Sequence, residues 1–195
     1  EEVGRLSGFD SITPTLAQRD FTAVRSSEFD VVRRRLRNVL VRAGANEVLT
    51  YSFVHGDMMR KVGQNPEEAY RLVNSISPEL QYYRQSLTPS LLSSVHANIK
   101  QGFDHFALFE LNKFHTKRHE LLEEKVPREL DSLAFILTRS TSAEGAMFYE
   151  AKQYLEYIAA SFGVSFVYEP LDADSDYPVT QPFEVKRSAR VWSSD

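Results

Sequence analysis

The stretch from Asn74 to Phe114, NSISPELQYYRQSLTPSLLSSVHANIKQGFDHFALFELNKF, constrains the fold more than any other part of the chain. It packs a turn, a short strand, a proline-started helix and a second strand into one continuous unit. Thr88 has a hydroxyl suited to a helix N-cap, and Pro89 then falls where the first helical N–H has no partner anyway. Leu91, Leu92, Val95 and Ile99 follow at helical spacing and predict one apolar face. Gly102 predicts the stop, since glycine takes a left-handed cap at little cost. Phe106, Leu108 and Glu110 then alternate with Ala107, Phe109 and Leu111, the pattern of a central strand buried on both faces. Glu110 is the exception in that run. A carboxylate there needs a partner.

A chain of 195 residues suits one large domain or two small ones. Hydrophobic and charged fractions of 42% and 26% are those of a globular protein and argue against disorder. No apolar run approaches the roughly 20 residues of a membrane span. The opening Glu-Glu is not a secretory leader. Without cysteine there are no disulfides and no thiolate metal sites, which fits a cytoplasmic protein. The net charge of −4 supplies no global attraction to nucleic acid, so any RNA contact has to be local.

Residues 1–8 read as the last turns of a helix closed by Gly8, and residues 9–25 as an extended connector. Ser27, with Asp30 three positions on, opens the first full helix in a capping-box arrangement. Phe29, Val32, Leu36, Val39, Leu40 and Ala43 form its inward half, and Gly44 ends it. A strand is expected next, with Leu49, Tyr51 and Phe53 on one side and Val48, Thr50 and Ser52 on the other. Further strands are expected at 71–74, 132–139, 164–168 and 183–192, a short helical turn within 55–64, a charged loop at 115–128 and a helix over 145–162. Strands without intervening crossover helices predict an α+β fold: a mixed, largely antiparallel sheet flanked by helices.

Several residue groups carry side chains capable of chemistry. The eight glycines are dispersed, and none of their spacings makes a dinucleotide fingerprint or a phosphate loop. Arg33, Arg34, Arg35, Arg37 and Arg42 crowd the outward half of the first helix, where guanidinium groups could grip phosphates. A solvated helix face, or docking on an acidic partner, explains the same run. His115 and His119 stand four apart as zinc ligands do, but no third ligand is near in sequence. Asp172, Asp174 and Asp176 begin like a calcium loop that Tyr177 and Phe183 then break. Ser86, Ser90, Ser93 and Ser94 surround the Thr88–Pro89 hinge with His96 nearby, without the context of a nucleophile elbow. Glu1 and Glu2 form an adjacent acid pair able to share a hard cation, although such surface pairs are common.

Three blocks taken together resemble the β subunit of bacterial phenylalanyl-tRNA synthetase. EEVGRLSGFDSITPTL (1–16) is similar to the end of that subunit's helical, metal-binding module. RLRNVLVRAGANEVLTYSF (35–53), the 74–100 stretch and LFELNKF (108–114) follow the family's core motifs in order. FYEAKQYLEYIAASFG (148–163) and PFEVKRSARVW (182–192) resemble a late helix and a basic strand of the same core. Ser75, Ala45, Asn112 and Phe9 depart from the family pattern, which suggests a divergent member.

The resemblance implies a class II aminoacyl-tRNA synthetase-like core over 21–195, preceded by the end of the metal-binding module and a linker over 1–20, in a piece of a longer polypeptide. It implies a core that has lost its chemistry. A class II active site needs an arginine on its second-motif strand and a glycine-flanked arginine in its third motif. The Phe106–Phe114 strand has no arginine, and Arg187 and Arg190 have no glycine neighbours. No catalytic residue is therefore expected here. The implied role is a scaffold packed against the catalytic α subunit in an (αβ)2 heterotetramer that ligates phenylalanine to tRNA(Phe), with Mg2+ and ATP serving the whole enzyme and neither held well by this piece. Glu1 and Glu2 match two of the family's magnesium ligands, the other two lying upstream. A tRNA-binding module using helix 33–42 and an active aminoacylation domain are the competing expectations.

Overall fold

The computed structural model describes residues 1–140, 145–172 and 175–194. Helix α1 (Glu2–Ser7) ends at Gly8, whose φ of +77° is the turn that glycine was expected to make. After a 3-10 turn at Phe9–Ser11, residues 12–27 run without regular structure, leaving Leu16, Phe21 and Val24 in solvent.

Helix α2 (Glu28–Arg42) begins with the predicted cap. The Asp30 N–H donates to Ser27 Oγ at 3.1 Å, and the Ser27 hydroxyl donates to the Asp30 carboxylate at 2.6 Å. Only the second half of its apolar face is covered: Val39 and Leu40 are buried, whereas Phe29 and Val32 are exposed. Gly44 then turns the chain at φ +93° into strand β1 (Asn46–Glu47). Strand β2 (Phe53–Val54), helix α3 (Gly56–Lys61), strand β3 (Tyr82–Tyr83) and helix α4 (Thr88–Lys100) lead to the two long strands, β4 (His105–Phe114) and β5 (Leu130–Arg139). Helix α5 (Ala146–Phe162), capped by Gly163 at φ +71°, precedes the hairpin of β6 (Ser165–Pro170) and β7 (Ala189–Ser194).

The main sheet has the order β1-β4-β5. β1 runs parallel to β4, with Asn46 opposite Leu108, and β5 runs antiparallel to β4 along its whole length, with Phe109 opposite Phe135. Two further antiparallel pairs, β2-β3 and β6-β7, complete the mixed, largely antiparallel arrangement. Ala107, Phe109 and Leu111 on β4 and Leu133, Phe135 and Leu137 on β5 share one face, because side chains alternate along a strand. That face packs against Val39 and Leu40 of α2 and Ile158 of α5. The Tyr154 hydroxyl donates to the Ala43 carbonyl at 2.8 Å and ties α5 to the end of α2.

Four local expectations are corrected. The strand expected over 48–53 is split, because Thr50 gives its N–H to the Glu110 side chain rather than to a neighbouring backbone. The strand expected at 71–74 reduces to one bridge between Arg71 and Tyr82. Thr88 lies inside α4 rather than capping it: Leu87 holds the cap position and no side-chain cap bond forms. The last strand starts only at Ala189, after a 3-10 turn at Val185–Arg187. In α4, Leu91 is buried but Leu92 and Ile99 remain exposed, so the predicted apolar face is only partly used.

Candidate functional site: a sealed carboxylate on the central strand

Glu110 projects from β4 on the face opposite Phe109, and the burial pattern of that strand leaves it no surface at all: its relative exposure is 0%. Five donor contacts close around its carboxylate. Oε1 accepts from Asn112 Nδ2 at 2.8 Å, Arg84 Nη2 at 3.1 Å and the Thr50 N–H at 3.2 Å. Oε2 accepts from the Thr50 hydroxyl at 2.6 Å and Arg84 Nη1 at 3.3 Å.

Arg84, 1% exposed, is held in turn. Its Nη1 also donates to Thr50 Oγ1 at 2.7 Å, and its Nε donates to the Lys113 carbonyl at 3.1 Å. Its backbone N–H reaches the Ser52 carbonyl at 2.9 Å, and its own carbonyl accepts from the His115 N–H at 3.1 Å. One side chain and one peptide unit therefore join the 50–52 segment to β4 and to the start of the following loop.

Burial pushes the Glu110 carboxyl up. The hydrogen bonds from Thr50, Asn112 and Arg84, with the guanidinium charge, outweigh that and hold it below the usual carboxylate range. An ionised carboxylate with this many donors and no solvent access is committed to contacts within the protein. What the network does is fix backbone. Thr50 is drawn inward by both its N–H and its hydroxyl, so Leu49 and Tyr51 on either side stand outward, 85% and 74% exposed.

The other sequence-derived candidates are scattered. Glu1 and Glu2 lie on exposed α1 facing Arg5, at 4.0 and 3.0 Å. Among the described residues no group of three or more His, Cys, Asp or Glu side chains could hold a metal ion. His115 is buried against the Tyr83 ring at 4.4 Å, while His119 pairs with the Tyr177 hydroxyl at 3.0 Å. Asp176 pairs with Arg118 at 2.9 Å, and Asp174 lies outside the described residues. Ser86 accepts from Gln64, and Ser93 donates to the Ser90 carbonyl, which are structural contacts. Arg187 sits 3.7 Å from Glu184, and the Arg190 guanidinium lies over the Trp192 ring.

Sequence reasoning asked for a partner to Glu110 and did not supply one. The usable signal was Arg84 itself, the only arginine between Arg71 and Arg118, set beside two tyrosines in a segment with strand character. Thr50 carried no comparable mark.

The fold is the α+β core of a class II aminoacyl-tRNA synthetase. Two structures of pyrrolysyl-tRNA synthetase from Desulfitobacterium hafniense match it with a TM-score of 0.56, covering 77% and 76% of this chain and 52% and 56% of theirs. Their sequences are 13% and 14% identical to it, so this likeness concerns the fold alone.

The sequence relatives are more specific. Residues 12–195 match the family described as the phenylalanyl tRNA synthetase beta chain CLM domain, and the chain belongs to that family. It is 30% identical to the phenylalanine–tRNA ligase β subunits of Geobacter sulfurreducens and Geobacillus kaustophilus, over 176 and 172 residues and 85% of its own length. With that of Bacillus cereus the identity is 33% over 140 residues, 71% of this chain. It spans about a fifth of these relatives, 22%, 21% and 17% of their lengths.

Proposed function

We propose that this chain is a non-catalytic, synthetase-like scaffold of a phenylalanine–tRNA ligase β subunit. It packs against the catalytic α subunit of an (αβ)2 assembly that charges tRNA(Phe) in the cytoplasm. The observation that carries this reading is the closed Arg84–Glu110 pair. Where a synthetase strand would offer a guanidinium to ATP, β4 carries a carboxylate, and the nearest arginine is spent on neutralising it. At Glu110 itself, phosphate oxygens would meet a carboxylate and a guanidinium already neutralised by it.

Exposed Leu49, Tyr51, Phe29 and Val32, on and beside α2, supply apolar surface for a partner. No described helix is long and apolar enough to cross a membrane.

The family also implies magnesium. Two carboxylates, already facing Arg5, would leave most of the ion's six near-octahedral oxygen positions to water or to other donors. By the family resemblance, Glu1 and Glu2 are proposed as part of a site whose other protein donors lie outside residues 1–195.

Co-expression with the cognate α subunit tests the proposal: a stable complex that copurifies is expected. ATP–pyrophosphate exchange by the chain alone would overturn it in favour of an active aminoacylation domain.

A further inference from the structure

Among the described residues β5 has β4 as its only strand partner and β7 has only β6, so each keeps one edge free. A groove of about 360 Å3 lies against both strands. Ser132, Leu133, Ala134 and Phe135 of β5 all line it. Consecutive side chains of a strand point to opposite faces, so four in a row border one groove only where it meets the strand edge-on. Ala189 and Val191 of β7 border it as well, and residues of α5 and the start of α4 close it.

Natural proteins protect a free edge with charged side chains, proline or a bulge. The 132–135 stretch, Ser-Leu-Ala-Phe, has neither charge nor proline, and it pairs with β4 in unbroken register. Leu133 and Phe135 also pack against the main core, so the groove is an opening into that core. Two of its aromatic side chains, Phe148 and Phe183, are 45% and 48% exposed.

Backbone chemistry selects the occupant. Free strand edges present rows of N–H and C=O groups that another extended backbone satisfies. A small molecule would fill the volume and leave those rows unpaired, and so would a helix, whose own backbone groups bond internally. The four bordering residues of β5 set a minimum length of about four residues, roughly 13 Å. The source is the same polypeptide. The groove is walled by four elements of this chain and continues its core, and the chain spans only 22% and 21% of the β subunits it resembles.

We propose that a strand from outside residues 1–195 of the full-length β polypeptide lies in this groove, pairs with β5 along residues 132–135 and joins the β6-β7 hairpin to the main sheet. This goes beyond the scaffold reading and does not rest on it.

The test is residue-resolved amide hydrogen exchange on the full-length β subunit, alone and with the α subunit. In an edge strand the amides alternate: those turned to the neighbouring strand are protected, and those turned away exchange quickly. With a strand on each side, every amide of residues 132–135 is slow in the β subunit alone. The outward-turned ones are then slowed by about a hundredfold or more relative to an unstructured chain. Alternating fast amides in the β subunit alone overturn the proposal. If those amides become slow only when the α subunit is added, the proposal also falls and the groove belongs to the partner. Uniform protection together with failure to bind the α subunit supports the inserted strand and overturns the scaffold reading alone.

Discussion

Arg84 and Glu110, 26 positions apart in sequence, meet as a doubly hydrogen-bonded ion pair buried beneath the main sheet's surface. Such a pair gains little net stability over well-packed apolar groups, because two ions must leave water to form it. Its energetic signature is asymmetric. Removing one partner strands the other charge in a site with no solvent.

Arg84→Met is therefore expected to cost about 3–5 kcal/mol of folding stability, the range for breaking a buried pair. The double variant Arg84→Met with Glu110→Leu should recover part of that loss. Urea unfolding of the two proteins measures both. Equal stability of Arg84→Met and wild type would contradict the burial described here.

The same pair has a pH signature. Glu110 is held below the usual carboxylate range, so between its folded and unfolded pKa values the unfolded chain binds more protons. Its contribution is complete above the ordinary glutamate value and is lost as pH falls through the depressed one. Glu110→Gln should flatten the acid limb of a stability–pH curve measured by chemical unfolding. An acid limb identical to wild type would assign that sensitivity to other carboxylates.

His115 predicts a second pH effect. Burial pushes its imidazole down, Glu129 opposes this, and Lys113 and Arg84 add to it; among the described residues its Nδ1 has no hydrogen-bond partner. The folded state therefore resists protonation, and stability declines as pH falls from the ordinary imidazole value toward the lowered one. NMR titration of the His115 ring should give a midpoint below the ordinary value, and His115→Phe should remove this part of the decline.

Leu49 and Tyr51 separate folding from assembly. Both side chains lie in solvent, so Leu49→Ala and Tyr51→Ala should change stability by no more than about 0.5 kcal/mol. Under the scaffold proposal each weakens α-subunit association, read by sedimentation of the mixed subunits. Thr50→Val should weaken it too, because it removes the hydroxyl that anchors the segment.

Tyr154→Phe deletes one hydroxyl and leaves the ring stacked on Phe135. The lost bond to the Ala43 carbonyl should cost about 1 kcal/mol. Thermal unfolding monitored by far-UV circular dichroism measures it.

Much of this architecture was legible along the chain because its causes are local. Ser27 and Asp30 cap a helix by a contact three residues long, and the glycines at 8, 44, 102 and 163 all take positive φ. Strand β4 was legible from an apolar run broken by Glu110, and the family from motifs that stay in order. Where expectation failed, a distant group had intervened. Thr50 left the strand ladder because a carboxylate sixty positions away claimed its N–H. The apolar face of α2 stays open at Phe29 and Val32 because the core packs beneath Leu36, Val39 and Leu40.

Local periodicity and capping were therefore enough for the main helices and the long strands, since each depends on neighbours within a few residues, and motif order was enough for the fold class and the family. The fate of Glu110 was not decided at that range. An acidic residue in a buried strand is compatible with an open reactive group or a sealed one. Only packing, which brings Arg84, Thr50 and Asn112 around the same two oxygens and excludes water, makes it sealed. The same packing sets Arg35 over the Phe162 ring and Arg37 against Glu47, a distinction that five arginines in one short stretch of sequence do not contain.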